Sequence, residues 1–448
     1  MPARHSPFAE LARAPQAVRI YRDLLGAVHL TPPALRERRR RRLAALLRHA
    51  FDTVPFYHRR FAEAGLRPED IGEEEGLARL PLTSKEELRV LPLSEVISSR
   101  VRPEQLAPHT TSGSTGTPFT FYRTPETHLF HVLAHLRPMV LLGMTWRDRL
   151  LSLGRLAYLV DTWPQRLGLL PTVILSPLAP LPRQLEVLSR FRPTVLAAYP
   201  SGVRALATAV LEGRMPRPRP RLLFTGGEHT DEATRGLLER AFGVPPLSLY
   251  GMLEVARIGW QCRPGSPFHT SDDYLILEIV RDGRPVREGE VGELVVTHLT
   301  KTDMPWIRYR TGDLVRRVPR ACGCTHALGQ IDLVGGRVSE VLLLPDGTLR
   351  SALRVTSTIH RVTGILQYQL RQEEVGAVVL RVVAGPGFDA DTPLRLRRAF
   401  EPLLPGMTVR VEQVAEIPRT PGGKAAYVHV APAVREKIAG IGAKVLRP

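Results

Sequence analysis

The chain has 448 residues, enough for two or three domains and a large core. It carries 62 basic against 44 acidic residues, a net charge of +18, and only five of the basic residues are lysines: Lys85, Lys301, Lys424, Lys437 and Lys444. A basic balance favours anionic partners through long-range steering without specifying a fold. Three cysteines exclude a disulfide scaffold, and their odd number fits a reducing, cytoplasmic setting. No 18-residue apolar run and no signal-peptide pattern occur, so neither a membrane span nor secretion is expected.

Taken in chain order, residues 1–100 read as mainly helical. The stretch LRERRRRRLAALLRHAFD places Leu43, Leu46, Leu47 and Phe51 at helical spacing. Arg36 and Arg38 to Arg42 flank that stripe; they form a solvated helix face, or else a grip on RNA or anionic lipid. From about 110 to 330, short β-rich runs such as RLLSLG, PTVLAAY, RLLFTGG, LSLYG, YLILEIV and GELVVTHL alternate with helices, an α/β pattern. RMPRPRPRL at 214–222 reads as a stiff exposed connector. A turn at Gly335 and Gly336 leads to a smaller α+β unit, with runs at VLLLP, ILQYQLRQ, AVVLRVV and TVRVEQV and a helix at PLRLRRAFEPLL. The expected division is a large domain at 1–334 and a small one at 335–448.

The chain has no GxxxxGK[ST], HExxH or GxSxG motif and no paired CxxC, which removes the usual support for nucleoside triphosphatases, zinc proteases and serine hydrolases. Four other elements carry chemistry. TTSGSTGTP at 110–118 combines glycines, which let backbone N–H groups fold around a phosphate, with hydroxyl donors; the alternative is an ordinary turn. YGMLE at 250–254 follows a β-like run and offers Tyr250 for stacking, a flexible Gly251 and the Glu254 carboxylate for Mg²⁺, or else is a strand end with a surface glutamate. In WIRYRTGDL at 306–314, Asp313 could accept hydrogen bonds from both ribose hydroxyls, although any RTGD turn looks similar. PRTPGGK at 418–424 delivers Lys424 on a Pro/Gly loop, conspicuous in a chain so poor in lysine.

In this order and spacing the four elements resemble the adenylate-forming superfamily of acyl-CoA synthetases and peptide-synthetase adenylation domains. The match is most specific to the phenylacetate-CoA ligase branch with its capsular-polysaccharide relatives, since FDTVPFYHRRFAEAGLRPEDI and LARLPLTSKEEL also look like that branch. The resemblance runs from about residue 50 to 430 and includes AAYPSGVRALA, LLFTGGEHTD, EVGELVVTHLTKTDMPWIRYRTGDL and the GGR at 335–337. It implies an α/β fold with a small mobile C-terminal domain, and an enzyme that uses ATP and Mg²⁺ to convert a carboxylic acid to an acyl-adenylate and passes it to a thiol, CoA. By carry-over, Ser112, Gly113, Ser114, Thr115 and Gly116 would hold the β- and γ-phosphates, with Thr115 and Glu254 serving Mg²⁺. Gly227, Glu228, Tyr250 and Gly251 would frame adenine, Asp313 would bind ribose, and Arg337 would lie at the domain junction. Lys424 would bridge the attacking carboxylate and the α-phosphate, and withdraw when the small domain rotates. The chain departs from the pattern at Thr117, where the family often has lysine, and at Val338-Ser339-Glu340, where it usually has an acidic pair. The following LLLPDGTLRSALRV looks like the capsular branch, which leaves the acceptor open between CoA and an amine, hydroxyl or carrier protein.

Cys262, His269, Cys322 and Cys324 together are the donor inventory of a closed structural Zn²⁺ site, with His326 as a reserve ligand; three independent buried thiols are the alternative. His128, His131 and His135 share one face of the expected helix ETHLFHVLAHL, and are read as lining the acyl pocket rather than as a metal site. The expected partners are a small carboxylic acid, aryl or medium-sized alkyl, and CoA or another acceptor. Nucleic acid is not expected, and a homodimer is compatible with the sequence. The rival from another class is a basic nucleic-acid or surface-binding protein built on a degenerate nucleotide fold.

Overall fold

The computed structural model describes residues 14–111, 119–154, 165, 168–319, 322–337, 340–360, 362, 364–420, 423–441 and 446–447. The expected phosphate loop, Ser112 to Gly116, and the junction residue Ser339 lie outside them. Among the described residues, 14–100 are mainly helical, as expected. The helix Pro32–Thr53 starts at an N-cap, Thr31, whose side chain accepts from the Ala34 N–H, and a proline follows at the first turn. Its buried face carries Leu35, Leu43, Leu46, Leu47 and Ala50. The arginines of this helix are largely spoken for: Arg38 and Arg42 pair with Asp23, Arg39 with Glu74, and Arg40 and Arg41 with Glu37. Five guanidiniums share three carboxylates here, so the patch keeps part of its positive charge while most of its side chains are tied to the protein's own acids, as a solvated helix face would have them.

The centre of the fold is one twelve-stranded sheet. Its strands in chain order are β3 (Leu150–Leu153), β4 (Thr172–Leu175), β5 (Val195–Ala198), β6 (Leu222–Gly226), β7 (Leu247–Met252), β8 (Ala256–Gln261), β9 (Phe268–Thr270), β10 (Leu275–Arg281), β11 (Arg284–Pro285), β12 (Val291–His298), β13 (Tyr309–Val318) and β14 (Gln330–Arg337). The spatial order is 11-10-12-13-14-9-8-7-6-5-3-4. Strands β4, β3, β5, β6 and β7 run parallel, and from β7 to β11 every pairing is antiparallel. A separate ribbon pairs β1 (Ala107–Thr111) with β2 (Phe119–Arg123), bringing Thr111 opposite Phe119 at the two ends of the 112–118 segment.

Parallel strands require crossovers, and those from β4 to β7 are helices. Pro200–Leu211 joins β5 to β6, and Glu232–Phe242 joins β6 to β7. The second is capped at both ends: the Asp231 carboxylate accepts from the Thr234 N–H at 2.8 Å, and Gly243 closes it at φ +77°. The carboxyl ends of β5, β6 and β7 therefore emerge side by side, where open α/β sheets bind ligands. On the helix Pro125–Leu141, Arg137 is fully buried, 2.8 Å from Asp273 and 5.0 Å from the centre of the Trp260 ring. Removing either partner would leave an uncompensated buried charge, a loss of about 3–5 kcal/mol.

Beyond Arg337 come a three-stranded sheet, β15 (Val341–Leu343), β16 (Leu349–Ser351) and β21 (Leu446–Arg447), and a four-stranded one ordered β19 (Thr408–Gln413), β18 (Ala377–Ala384), β17 (Ile365–Glu374), β20 (Val428–Val430). The expected helix is Thr392–Phe400; Ala352–Ile359 and Pro432–Ile441 add two more. This segment packs its own apolar cluster from Val341 to Val434, in which Leu314 is the one buried member from before Gly335 among the described residues. No helix among the described residues is long and apolar enough to cross a membrane.

Candidate active site

A cavity of about 790 Å³ lies where the ends of β5, β6 and β7 meet the segment after Arg337. Its lining includes Tyr199 after β5, Gly227 and Glu228 after β6, Tyr250, Gly251 and Glu254 from β7 onward, Asp313 from β13, and Lys424. Residues expected from four separate motifs thus converge on one space. Arg337 pairs in register with Asp313 across β13 and β14.

Lys424 is held by a compact loop. The Thr420 N–H donates to the Lys424 carbonyl at 3.0 Å, the Gly423 N–H to the Thr420 carbonyl at 2.7 Å, and the Lys424 N–H to the Thr420 hydroxyl at 3.2 Å. The ammonium lies 5.6 Å from the centre of the Tyr199 ring. Gly227, at φ +77°, makes room for this approach: a Cβ there would stand 2.8 Å from Tyr199 Cε1 and 3.1 Å from Lys424 Cε. Only glycine combines that backbone angle with so little space.

The loop is docked by Glu228. One oxygen of this carboxylate accepts from the Ala425 N–H at 2.8 Å and the Ser201 hydroxyl at 2.9 Å, and the other accepts from the Ser201 N–H at 2.8 Å. Burial pushes the Glu228 carboxyl above the ordinary glutamate range, opposed by those hydrogen bonds and the Lys424 charge. Arg419, on the stem of the loop, donates to the Ser201 hydroxyl at 3.2 Å. A further tie joins His360 Nδ1 to Asp231, while His360 Nε2 meets the Tyr368 hydroxyl at 3.0 Å. Burial would raise the Asp231 carboxyl, but the contacts with His360 and Thr234 bring it down to about 2.

At another edge of the cavity the Tyr250 hydroxyl donates to Asp313 Oδ2 at 2.6 Å, fixing an aromatic ring beside a carboxylate. Glu254, 3 % exposed, is ion-paired at 2.7 Å with Lys85. Lys85, Ser201, Asp231 and Arg419 lie inside the stretches that carry the resemblance but were given no role of their own, and His360 lies in none of them. Only Lys85 carried a usable signal, because the lysine scarcity that singles out Lys424 applies to it equally.

On the far side of β8, Cys262, His269, Cys322 and Cys324 place their donor atoms within 4.8 Å of one another. His269 Nε2 lies 3.0 Å from Cys322 Sγ and 3.1 Å from Cys324 Sγ. The pairing of β9 with both β8 and β14 brings the four together. Burial and the neighbouring thiols push the Cys262 thiol up to about 11, an environment ill suited to three uncompensated thiolates and well suited to a cation. His326 packs edge-on against His269 with ring centres 5.4 Å apart and is outside the group.

The histidine trio divides. On the helix Pro125–Leu141, His131 and His135 join through their Nε2 atoms at 2.9 Å, and His128 stacks on His109. Of the three, His135 lines the cavity, with Met139 one turn further on, whereas His128 and His131 do not, because His128 turns to His109 and His131 is buried behind His135.

A parallel-stranded α/β sheet whose carboxyl ends meet a loop-borne lysine in one cavity has the ligand crevice of an open α/β enzyme fold, and comparison with known proteins gives the class. The family model described as AMP-binding enzyme matches residues 39–300, and the chain belongs to this family. Among relatives, the phenylacetate-coenzyme A ligase of Escherichia coli (strain K12) is 30% identical over 328 residues, covering 68% of this chain and 71% of that one. The enzyme of the same name from Thermus thermophilus is 31% identical over 336 residues, covering 69% and 71%. The fold matches the crystal structure of 2-hydroxyisobutyryl-CoA ligase in the postadenylation state with a TM-score of 0.76, at 19% identity, over 92% of this chain and 94% of that one.

Proposed function

We propose that the chain is an ATP-dependent, AMP-forming acid–thiol ligase that activates a carboxylic acid as its acyl-adenylate and transfers the acyl group to CoA. The observation that carries this reading is the seating of Lys424 against Gly227 and Tyr199 at the carboxyl ends of the parallel strands, inside a cavity that also contains Tyr250, Asp313 and Glu254. In the first step a carboxylate oxygen attacks the α-phosphorus, and the bond to the β-phosphate breaks with its electron pair leaving on pyrophosphate. Two anions must approach, so positioning and charge neutralisation dominate. Lys424 supplies a positive charge to both. In the second step the thiolate of CoA attacks the acyl carbon and AMP departs.

In this reading Tyr250, Gly251, Gly227 and Glu228 border the adenine, with the Glu228 carboxylate itself serving to dock the lysine loop, and Asp313 receives the ribose hydroxyls. Ser112, Gly113, Ser114, Thr115 and Gly116 cradle the phosphates, and Arg337 marks the hinge between units at 1–334 and 335–448. The separate apolar cluster beyond Val341 supports that division. The Glu254 carboxylate, a hard oxygen donor on the cavity wall, would hold Mg²⁺ with Thr115; the ion supplies charge neutralisation to the phosphates. Cys262, His269, Cys322 and Cys324 would hold a structural Zn²⁺, supported by the convergence of their donors. Met139, Phe224, Leu249 and Met252 give the cavity an apolar wall fit for an aryl or medium-sized alkyl acid. Lys424→Ala is expected to abolish acid-dependent ATP–pyrophosphate exchange while leaving the fold intact by circular dichroism; unchanged exchange would remove the role assigned to Lys424.

A further inference from the structure

We infer that Lys85 is a further phosphate-contacting residue, whose ammonium binds the pyrophosphate half of the nucleotide and the pyrophosphate product. This rests on the ligase reading above and adds to it a cation that no motif assigns. Lys85 lines the same cavity as Lys424. Its Nζ lies 2.7 Å from Glu254 Oε1 and 5.7 Å from the centre of the Phe119 ring. Phe119 is the first residue after the 112–118 segment, and Thr111, the last before it, stands opposite Phe119 in the ribbon and also lines the cavity. Lys85 therefore lies beside Phe119 in the cavity that Thr111 also lines, next to the two residues that flank the Ser/Thr/Gly-rich segment in sequence. That segment itself contains no basic residue, with Thr117 just before its proline.

The backbone under Lys85 is firmly placed. The Thr83 N–H donates to the Arg308 carbonyl, and the Arg310 N–H donates to the Thr83 carbonyl, each at 2.9 Å. Ser84 and Glu87 then form a reciprocal capping box that starts the helix Lys85–Val90. Lysine at the first helical position opposes the helix dipole, so local helix energetics do not explain it. A function in the cavity does. An ammonium has three donors, of which Glu254 takes one here, and it suits a phosphate as a mobile point charge. The buried Glu254 carboxylate alone would repel a polyphosphate; paired with Lys85 it presents no net charge.

The test is equilibrium binding by calorimetry, without divalent metal, of two probes: AMP and inorganic pyrophosphate. Lys85→Met is expected to weaken pyrophosphate binding by about 10-fold or more, the loss of one charge-assisted contact, with AMP binding changed less than about 2-fold and Lys85→Arg restoring most of the pyrophosphate affinity. Since Lys85→Met leaves Glu254 buried without this partner, Glu254→Gln and the double variant Lys85→Met/Glu254→Gln complete the set. Glu254→Gln alone should bind pyrophosphate at least as tightly as the unaltered chain, and the double variant about 10-fold more weakly than Glu254→Gln. Equal losses for AMP and pyrophosphate, or unchanged pyrophosphate affinity in both methionine variants, would overturn the assignment. Failure of the unaltered chain to bind AMP would overturn the ligase reading itself.

Discussion

Gly227→Ala is the sharpest test of how the lysine loop and the sheet fit together. The added methyl carbon would lie 2.8 Å from Tyr199 Cε1 and 3.1 Å from Lys424 Cε, where about 3.5–4.0 Å is comfortable for carbon atoms. One or both side chains must then move by roughly 0.5–1 Å. The backbone adds a second cost, because alanine at φ +77° loses about 1–2 kcal/mol. Stability and catalysis should therefore both suffer, and a second glycine separates them. Gly243 has the same φ of +77° with nothing within 4 Å of its Cβ position, so Gly243→Ala carries the backbone cost alone. Displacing the catalytic ammonium by such a distance should reduce acid-dependent ATP–pyrophosphate exchange about 100-fold in Gly227→Ala, whereas Gly243→Ala should keep its exchange rate and lose only thermal stability. The two rates are measured with radiolabelled pyrophosphate at a temperature where both variants are folded. If the two alanine variants exchange at the same rate, the contact between Gly227 and Lys424 has no part in catalysis.

Three other predictions follow from the same geometry. Glu228→Gln replaces an acceptor with an NH₂ group facing N–H donors, and should slow adenylation about 10-fold while sparing thioester formation from supplied acyl-adenylate; equal loss in both half-reactions would contradict its docking role. Protein purified without added metal or chelator should carry close to one zinc per chain by elemental analysis, and chelation should lower its melting temperature; metal-free protein of the same stability would sink the zinc assignment. Burial, followed by the nearby Lys301 charge, pushes His298 down to about 3, and burial holds His131 and His135 well below their ordinary value. These groups are neutral when folded and protonate when unfolded, so their contribution is present above about pH 6.5 and is lost as pH falls toward the folded values. His298 alone should cost about 2 kcal/mol at pH 5; urea melts at pH 7.5 and 5.0 that give equal stability would refute this.

The parts of the site that are legible in the sequence are those whose chemistry is local. Gly227, Tyr250, Asp313 and Lys424 each lie in a short segment whose residue types suit one task, and all four reach the same cavity. Pairs formed by topology are not legible in this way. Ala425 and Glu228 are 197 residues apart, and His360 and Asp231 are 129 apart; nothing local in either member announces its partner. Glu254 read as a metal carboxylate from its own motif, yet its ion pair with Lys85 depends on how the Thr83–Ser84 turn is pinned to the start of β13. The α/β alternation was readable from the strand runs. The insertion of β9 between β8 and β14 was not, because three residues carry too little periodicity, and that placement assembles the cysteine cluster.

The central claim is that this cavity makes acyl-adenylates, and hydroxylamine trapping tests it most directly. The protein is incubated with ATP, Mg²⁺ and a panel of aryl and alkyl carboxylic acids, with hydroxamate and AMP measured in parallel, and the responsive acids are then repeated with CoA in place of hydroxylamine. The account predicts acid-dependent hydroxamate and AMP in equal amounts, a CoA thioester in the second arm, and neither product from Lys424→Ala. ATP consumption independent of any acid, or no AMP formation across a broad panel by folded protein, would contradict it.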